Sequence, residues 1–232
     1  MVSTSNPYTF IINGPVNLIA EFEPRVYTEN FEGGLFNELW SNNNWDIQSS
    51  HTSVGTNAAR SKAIADGGSS SMTLTSYTRS GVGSFDYFVN SEEFFDKLEF
   101  RINGQLIEKW SGLTMGTTFQ TYTFDVPNGY NTFQWSYSKD NALAVGLDAA
   151  FVDAIQLPAG QPSLNVEITP SGGYTIKVKG QPLGQVTVQI STDLKTWRPG
   201  TILVNDIQGQ STWKVPTDQG NSGAFYRLMH NR

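Results

Sequence analysis

The sequence predicts an all-β protein, an antiparallel sandwich followed by a second, smaller one. Three observations carry that expectation. Short runs alternate apolar and polar residues, as in Leu98-Glu99-Phe100-Arg101-Ile102 and Phe133-Gln134-Trp135-Ser136-Tyr137. The 232-residue chain spreads 22 glycines and 10 prolines, with many Ser, Thr and Asn, between those runs. No long helical periodicity interrupts them.

Taken in chain order, Asn6 to Pro24 form two alternating runs around Asn13-Gly14, a hairpin too small to be stable alone. The segment Ser84 to Leu157 reads as successive strands of one sandwich. SFDYFVNSEEFFD opens it; LEFRING follows, and Asn103-Gly104 supplies a two-residue turn from which Leu106-Ile107 begins the return. In FQWSYSKD the residues Phe133, Trp135 and Tyr137 share one face and Gln134 and Ser136 the other, as a strand with one wet side requires. Trp40 and Trp135 are assigned to the core, and DAAFVDAIQL closes the sandwich. A Pro/Gly linker, Pro158-Ala159-Gly160-Gln161-Pro162, then precedes further strands at Leu164–Thr169, Tyr174–Lys179, Val186–Ser191 and Ala224–Met229. These readings divide the chain at 1–24, 25–158 and 159–232.

Charge and composition exclude several functions. A formal net charge of -6 without clustered Lys or Arg argues against a nucleic-acid partner. No apolar run approaches the roughly 18 residues that span a bilayer, so no membrane partner is expected. Cysteine is absent, which removes disulfides and thiolate metal sites. Catalysis finds little material: the imidazoles are His51 and His230, so a Ser-His-Asp arrangement would rest on His51. The paired carboxylates about 5 Å apart of a retaining glycosidase have no matching strand. Glu92, Glu93 and Asp96 form the densest acidic cluster and read as a solvated turn. No enzymatic activity is expected.

Three segments resemble known families. The first hairpin resembles the last strands of internalin B-repeat-type β-grasp repeats, which implies a longer parent protein with this chain as an excerpt. Residues Asn30-Phe31-Glu32-Gly33-Gly34, Trp45-Asp46-Ile47, Ala58-Ala59-Arg60-Ser61, Val89-Asn90-Ser91-Glu92-Glu93, Trp135 to Asp140 and Asp148 to Asp153 arrive in an order similar to MAM and cleaved-adhesin domains. That resemblance implies a jelly-roll β-sandwich, similar to carbohydrate-binding modules, whose first and last strands are neighbours. The tail, with TVQISTDLKTW and FYRL, resembles the fibronectin-like or immunoglobulin-like modules that end large exported bacterial proteins; Trp197 would pack in its core. An extracellular or cell-surface location is implied. Met1 is followed by a polar stretch rather than a signal core, so the export signal is expected upstream.

From the jelly-roll resemblance, Glu32 on the first strand and Asp153 on the last become expected ligands of a structural calcium, with Asp148 and Asp66 as further ligands. Oxygen donors without thiolates suit that ion. Two functions remain open. In the first, polysaccharide or a cell-surface glycan stacks on exposed aromatics chosen from 6 Trp and 9 Tyr. Trp110, between Glu108-Lys109 and a Ser-Gly turn, is the first candidate and Trp45, in the Asn-rich SNNNWD segment, the second; Arg101, Glu99 and Gln134 would line a polar groove. In the second, the region is a structural spacer or protein-adhesion module packed on neighbouring domains of the parent chain.

Overall fold

The computed structural model describes residues 26–114, 118–169, 173–216 and 224–230, and every regular element among them is a β-strand. The expected hairpin at 1–24 lies outside the described residues. Two sheets form first. One runs in the order β3 (Trp45–Gln48), β4 (Ala58–Ser61), β11 (Ala149–Pro158), β6 (Gly81–Asn90), β9 (Gln120–Val126), with β1 (Val26–Glu29) also paired to β11. The other runs β2 (Trp40–Asn43), β5 (Ser69–Thr78), β10 (Gly129–Ser138), β7 (Lys97–Ile102), β8 (Gln105–Ser111). Every pairing is antiparallel.

Alternation along each strand builds the core. Phe85, Val89, Phe124, Ala150, Val152, Ile155 and Leu157 point in from the first sheet. They meet Met72, Leu74, Leu98, Phe100, Phe133 and Trp135 from the second. Phe85 anchors the contact, with its ring 4.8 Å from Phe100 and 5.3 Å from Trp135. Edge and offset packing of rings at this spacing adds to their burial. The assignment of Trp40 and Trp135 to the core holds, at 8% and 0% exposure.

The hairpin between β7 and β8 turns where expected. Asn103 and Gly104 both have positive φ, 52° and 80°, which is the backbone a two-residue turn needs to match the strand twist. A bulge in β11 breaks its register with β6 between Asp153 and Gln156, and Ala154 has φ 49°. Up to that bulge the outer edge of β11 pairs with β4; beyond it, with β1. First and last strands of this sandwich are therefore neighbours.

The remaining strands make two three-stranded sheets. One is β12 (Ser163–Ile168), β13 (Tyr174–Lys179), β16 (Gln210–Val215); the other is β15 (Arg198–Val204), β14 (Gln185–Ser191), β17 (Phe225–His230). Ile176, Val178, Val186, Val188 and Val215 form their separate core. Trp197 is not part of it. It is half-exposed, and the Arg227 guanidinium sits 4.2 Å over its ring, so a cation covers the face expected to be packed in apolar surroundings.

The two sets of sheets are joined by polar contacts. The Gln181 side chain donates to the Tyr77 carbonyl and accepts from Tyr77 N and Ser76 Oγ. Tyr130 donates its hydroxyl to the Gly180 carbonyl at 2.7 Å.

Candidate functional site

The first sheet has an outward face of unusual chemistry. A simple sandwich puts polar side chains there, and Asp46, Gln48, Arg60, Ser84 and Asp86 follow the rule. Phe88 and Phe151 do not. They sit opposite one another on β6 and β11, their rings 5.5 Å apart, and are 3% and 1% exposed. His51, from the loop between β3 and β4, lies nearly parallel to Phe88 at 5.7 Å and 4.9 Å from Phe151. Phe119 reaches Phe88 from the other side at 5.9 Å. A cleft of about 420 Å³ opens above, lined by His51, Phe88 and Phe119 with the hydroxyls of Ser50, Thr52, Ser53 and Thr118.

Local hydrogen bonds explain why His51 stands where it does. Gln48 at the end of β3 accepts from Ser50 N and His51 N through Oε1 and donates to the His51 carbonyl through Nε2. The next stretch of loop is held by two carboxylates. Asp153, fully buried on β11, accepts from Ser53 N at 2.8 Å and Val54 N at 3.0 Å, and its other oxygen takes Ala154 N. Burial pushes the Asp153 carboxyl above its ordinary range, against the pull of those donors. Glu32 accepts from Thr56 Oγ1, Thr56 N and Asn57 N, which hold it below the usual carboxylate range.

Asp86 braces the cleft residue Ser53 from behind. Its two oxygens accept the hydroxyls of Ser53 and Thr121. On the opposite flank, the Arg60 guanidinium lies 5.6 Å over the Phe151 ring. Arg60 Nε and Oδ1 of its cross-strand neighbour Asp46 are buried without a hydrogen-bond partner among the described residues.

Several expected site residues are relocated. Trp45 is 2% exposed and belongs to the core; the asparagines around it make the turn, Asn42 exchanging two hydrogen bonds with the Trp45 backbone and Asn44 taking φ 64°. Trp110 pairs with Leu98 across β7 and β8 and so points inward. It packs at 4.3 Å from Tyr87 and 5.0 Å from Tyr122, half-buried at the open side of the sandwich. Burial, then the charge of Glu108, raises both tyrosine hydroxyls. Arg101, Glu99 and Gln134 lie on the other side of that sheet, where Arg101 and Glu99 form an ion pair at 2.8 Å and Gln134 reaches Thr73 Oγ1. One ligand cannot contact Trp110 and these three together, because a sheet separates them.

The expected calcium set is not assembled either. Glu32 and Asp153 clamp one loop through their own hydrogen bonds, while Asp148 accepts from Tyr137 and pairs with Lys139 at 2.5 Å, with Asp66 on the far side of the same ammonium at 3.3 Å. Both oxygens of Glu32, Asp153 and Asp148 accept from donors of the protein. The three-carboxylate group that does converge among the described residues is Glu92, Asp96 and Asp140. Asp96 is fully buried and Glu92 half-buried, so of the turn read as solvated Glu93 keeps that character and Asp96 does not.

Sequence reasoning missed Phe88, Phe151 and Phe119. A signal for the first two was present: Tyr87-Phe88-Val89 and Ala150-Phe151-Val152 break strict alternation, as strands covered on both faces do.

No family model matches the chain, and no curated protein does. Among solved structures, it is similar to the N-terminal CBM22-1–CBM22-2 tandem of Paenibacillus barcinonensis Xyn10C, with 12% identity over 92% of this chain and 92% of that one at a TM-score of 0.41. CBM35 from Cellvibrio japonicus Abf62 aligns with 19% identity over 59% of this chain and 95% of that one at 0.40. The secreted serine protease VesC from Vibrio cholerae aligns with 20% identity over 48% of this chain at 0.38, and the match spans 23% of VesC.

Proposed function

We propose that the chain is a non-catalytic accessory region of a larger exported protein, and that it binds polysaccharide in the His51–Phe119 cleft. The observation that carries this reading is the aromatic layer of His51, Phe88, Phe151 and Phe119 on a sheet face that would otherwise be polar. Sugar rings offer apolar C–H faces edged with hydroxyls. An aromatic floor with a few oriented polar groups complements both. Here Ser50, Thr52, Ser53 and Thr118 supply hydroxyls.

The face is also long enough for a chain. Five strands lie abreast from β3 to β9, which at the usual strand spacing is about 19 Å. Arg60 and Asp46, both half-buried, lie toward one end of this face, where the exposed parts of their side chains would meet hydroxyls of an extended ligand.

Pull-down on a panel of insoluble polysaccharides, paired with a glycan array, tests the proposal. Retention of the parent chain, with loss in His51→Ala and Phe119→Ala, is the expected result. Retention that survives both substitutions would place binding elsewhere and sink this site. A spacer is the second reading, and the Gln181 and Tyr130 contacts between the two sandwiches favour it. Absence of retention on the whole panel would favour that reading.

A further inference from the structure

We propose that Glu92, Asp96 and Asp140 form a divalent-cation site, fitted to Ca²⁺, where β6 turns toward β7 and β10 runs out toward β11. One carboxylate oxygen of each lies within 4.8 Å of the others. Carboxylate oxygens gathered this closely, with no thiolate or imidazole among them, suit a cation such as calcium, which takes oxygen donors at about 2.3–2.6 Å.

Convergence of acids alone would not require an ion. Asp96 does. It is 0% exposed; its Oδ1 accepts from Asp140 N at 3.0 Å, and its Oδ2 has no hydrogen-bond partner among the described residues. Glu92 Oε2 is buried and equally without a partner. A carboxylate taken from water without a full set of partners is costly unless it is neutralised or bound to metal. The neighbouring Lys139 ammonium offsets part of this charge but is shared with Asp148 and Asp66, to which it is ion-paired.

The backbone holds the site ready. Asp96 N donates to the Glu92 carbonyl and Ser91 Oγ to the Asp96 carbonyl, closing the turn. The β10–β7 register, with Ser138 opposite Lys97, brings Asp140 beside Asp96. Burial pushes the Glu92 and Asp96 carboxyls up, and the charge of Asp140 adds to this at Glu92, as expected where negative charge is gathered faster than it is compensated.

Calcium titration of the chelator-stripped 232-residue chain tests the site, read by calorimetry, by terbium luminescence with calcium displacement, and by thermal melting. One saturable site and a raised Tm are expected, at an affinity on the order of 10⁻⁴–10⁻³ M if it resembles extracellular modules. Glu92→Gln and Asp140→Asn should each weaken binding by about tenfold or more, while Glu93→Gln, an exposed neighbour, leaves it unchanged. No heat and no Tm shift at millimolar calcium overturns the proposal. So does binding that persists undiminished in Glu92→Gln and Asp140→Asn. Both variants keep the buried Asp96, so the test does not depend on a chain altered in its core.

Discussion

Asp153 on β11 and Val54 in the loop between β3 and β4 are joined by a 3.0 Å hydrogen bond across 99 residues of sequence. With Ser53 N on the same oxygen, it holds the loop that carries His51. Asp153→Ala removes the acceptor of these bonds and leaves their donors in partly buried surroundings. Hydrogen bonds to charged groups contribute about 1.5–3 kcal/mol each, so a loss of about 3 kcal/mol in urea denaturation is expected. The loss should be the same with calcium or with chelator, which separates this clamp from a metal ligand.

Trp110 offers a test of core against platform. Its ring fills the side of the sandwich between Tyr87, Tyr122 and Phe85. Truncation of a packed tryptophan costs about 3–5 kcal/mol when fully buried, and a half-buried one falls toward the lower end. Trp110→Ala should therefore lower Tm while the folded fraction keeps its polysaccharide retention. Loss of retention at unchanged stability would restore Trp110 as a contact residue.

Asp193 gives a pH signature. Its Oδ1 accepts Thr196 N, Lys195 N and Ser191 Oγ, and these donors, Thr196 N first, pull the carboxyl down to about 2. An unfolded aspartate titrates near 3.9. The folded value is the lower one, so the stabilisation is present above about pH 4 and is lost as pH falls through about 2. A carbon-detected NMR titration should show Asp193 still ionised at pH 3, and Asp193→Asn should flatten stability over that window.

Gly209 fixes the contact between the two sandwiches. It has φ 66°, its carbonyl accepts Gly180 N at 2.9 Å, and a Cβ there would overlap Tyr130 Oη and the Gly180 carbonyl. Strain of this backbone type costs of order 1–3 kcal/mol before any clash is counted. Gly209→Ala is expected to destabilise by about 2 kcal/mol or more, and Tyr130→Phe, which removes one hydrogen bond, by about 1 kcal/mol. Equal, negligible effects in both would show that this contact does not matter to stability.

Strands were legible where one face is dry and the other wet. Leu98 to Ile102 and Phe133 to Tyr137 fall within β7 and β10, and Tyr174–Lys179 coincides with β13. Sequence could not place Asp140 beside Asp96, because their meeting across 44 residues is made by strand pairing rather than by spacing. Trp45 misled because its polar neighbours are turn formers that hydrogen-bond the backbone, and a polar neighbourhood in sequence is not exposure in space. Phe88 was hidden by the opposite assumption, that the outward face of an antiparallel sheet is always wet.

The pairing of β1 with the end of β11 has a mechanical meaning. Val26, where β1 begins, stands opposite Pro158, where β11 ends, so the chain enters and leaves the first sandwich at one corner. Tension between those two points pulls across the ladder and loads its hydrogen bonds one after another, as a zipper is loaded, instead of together in shear. The sandwich hangs from the line of force as a pendant. Within a longer chain under load, β1 peels first, at low force, and lengthens the tether while the aromatic core between the sheets is still closed.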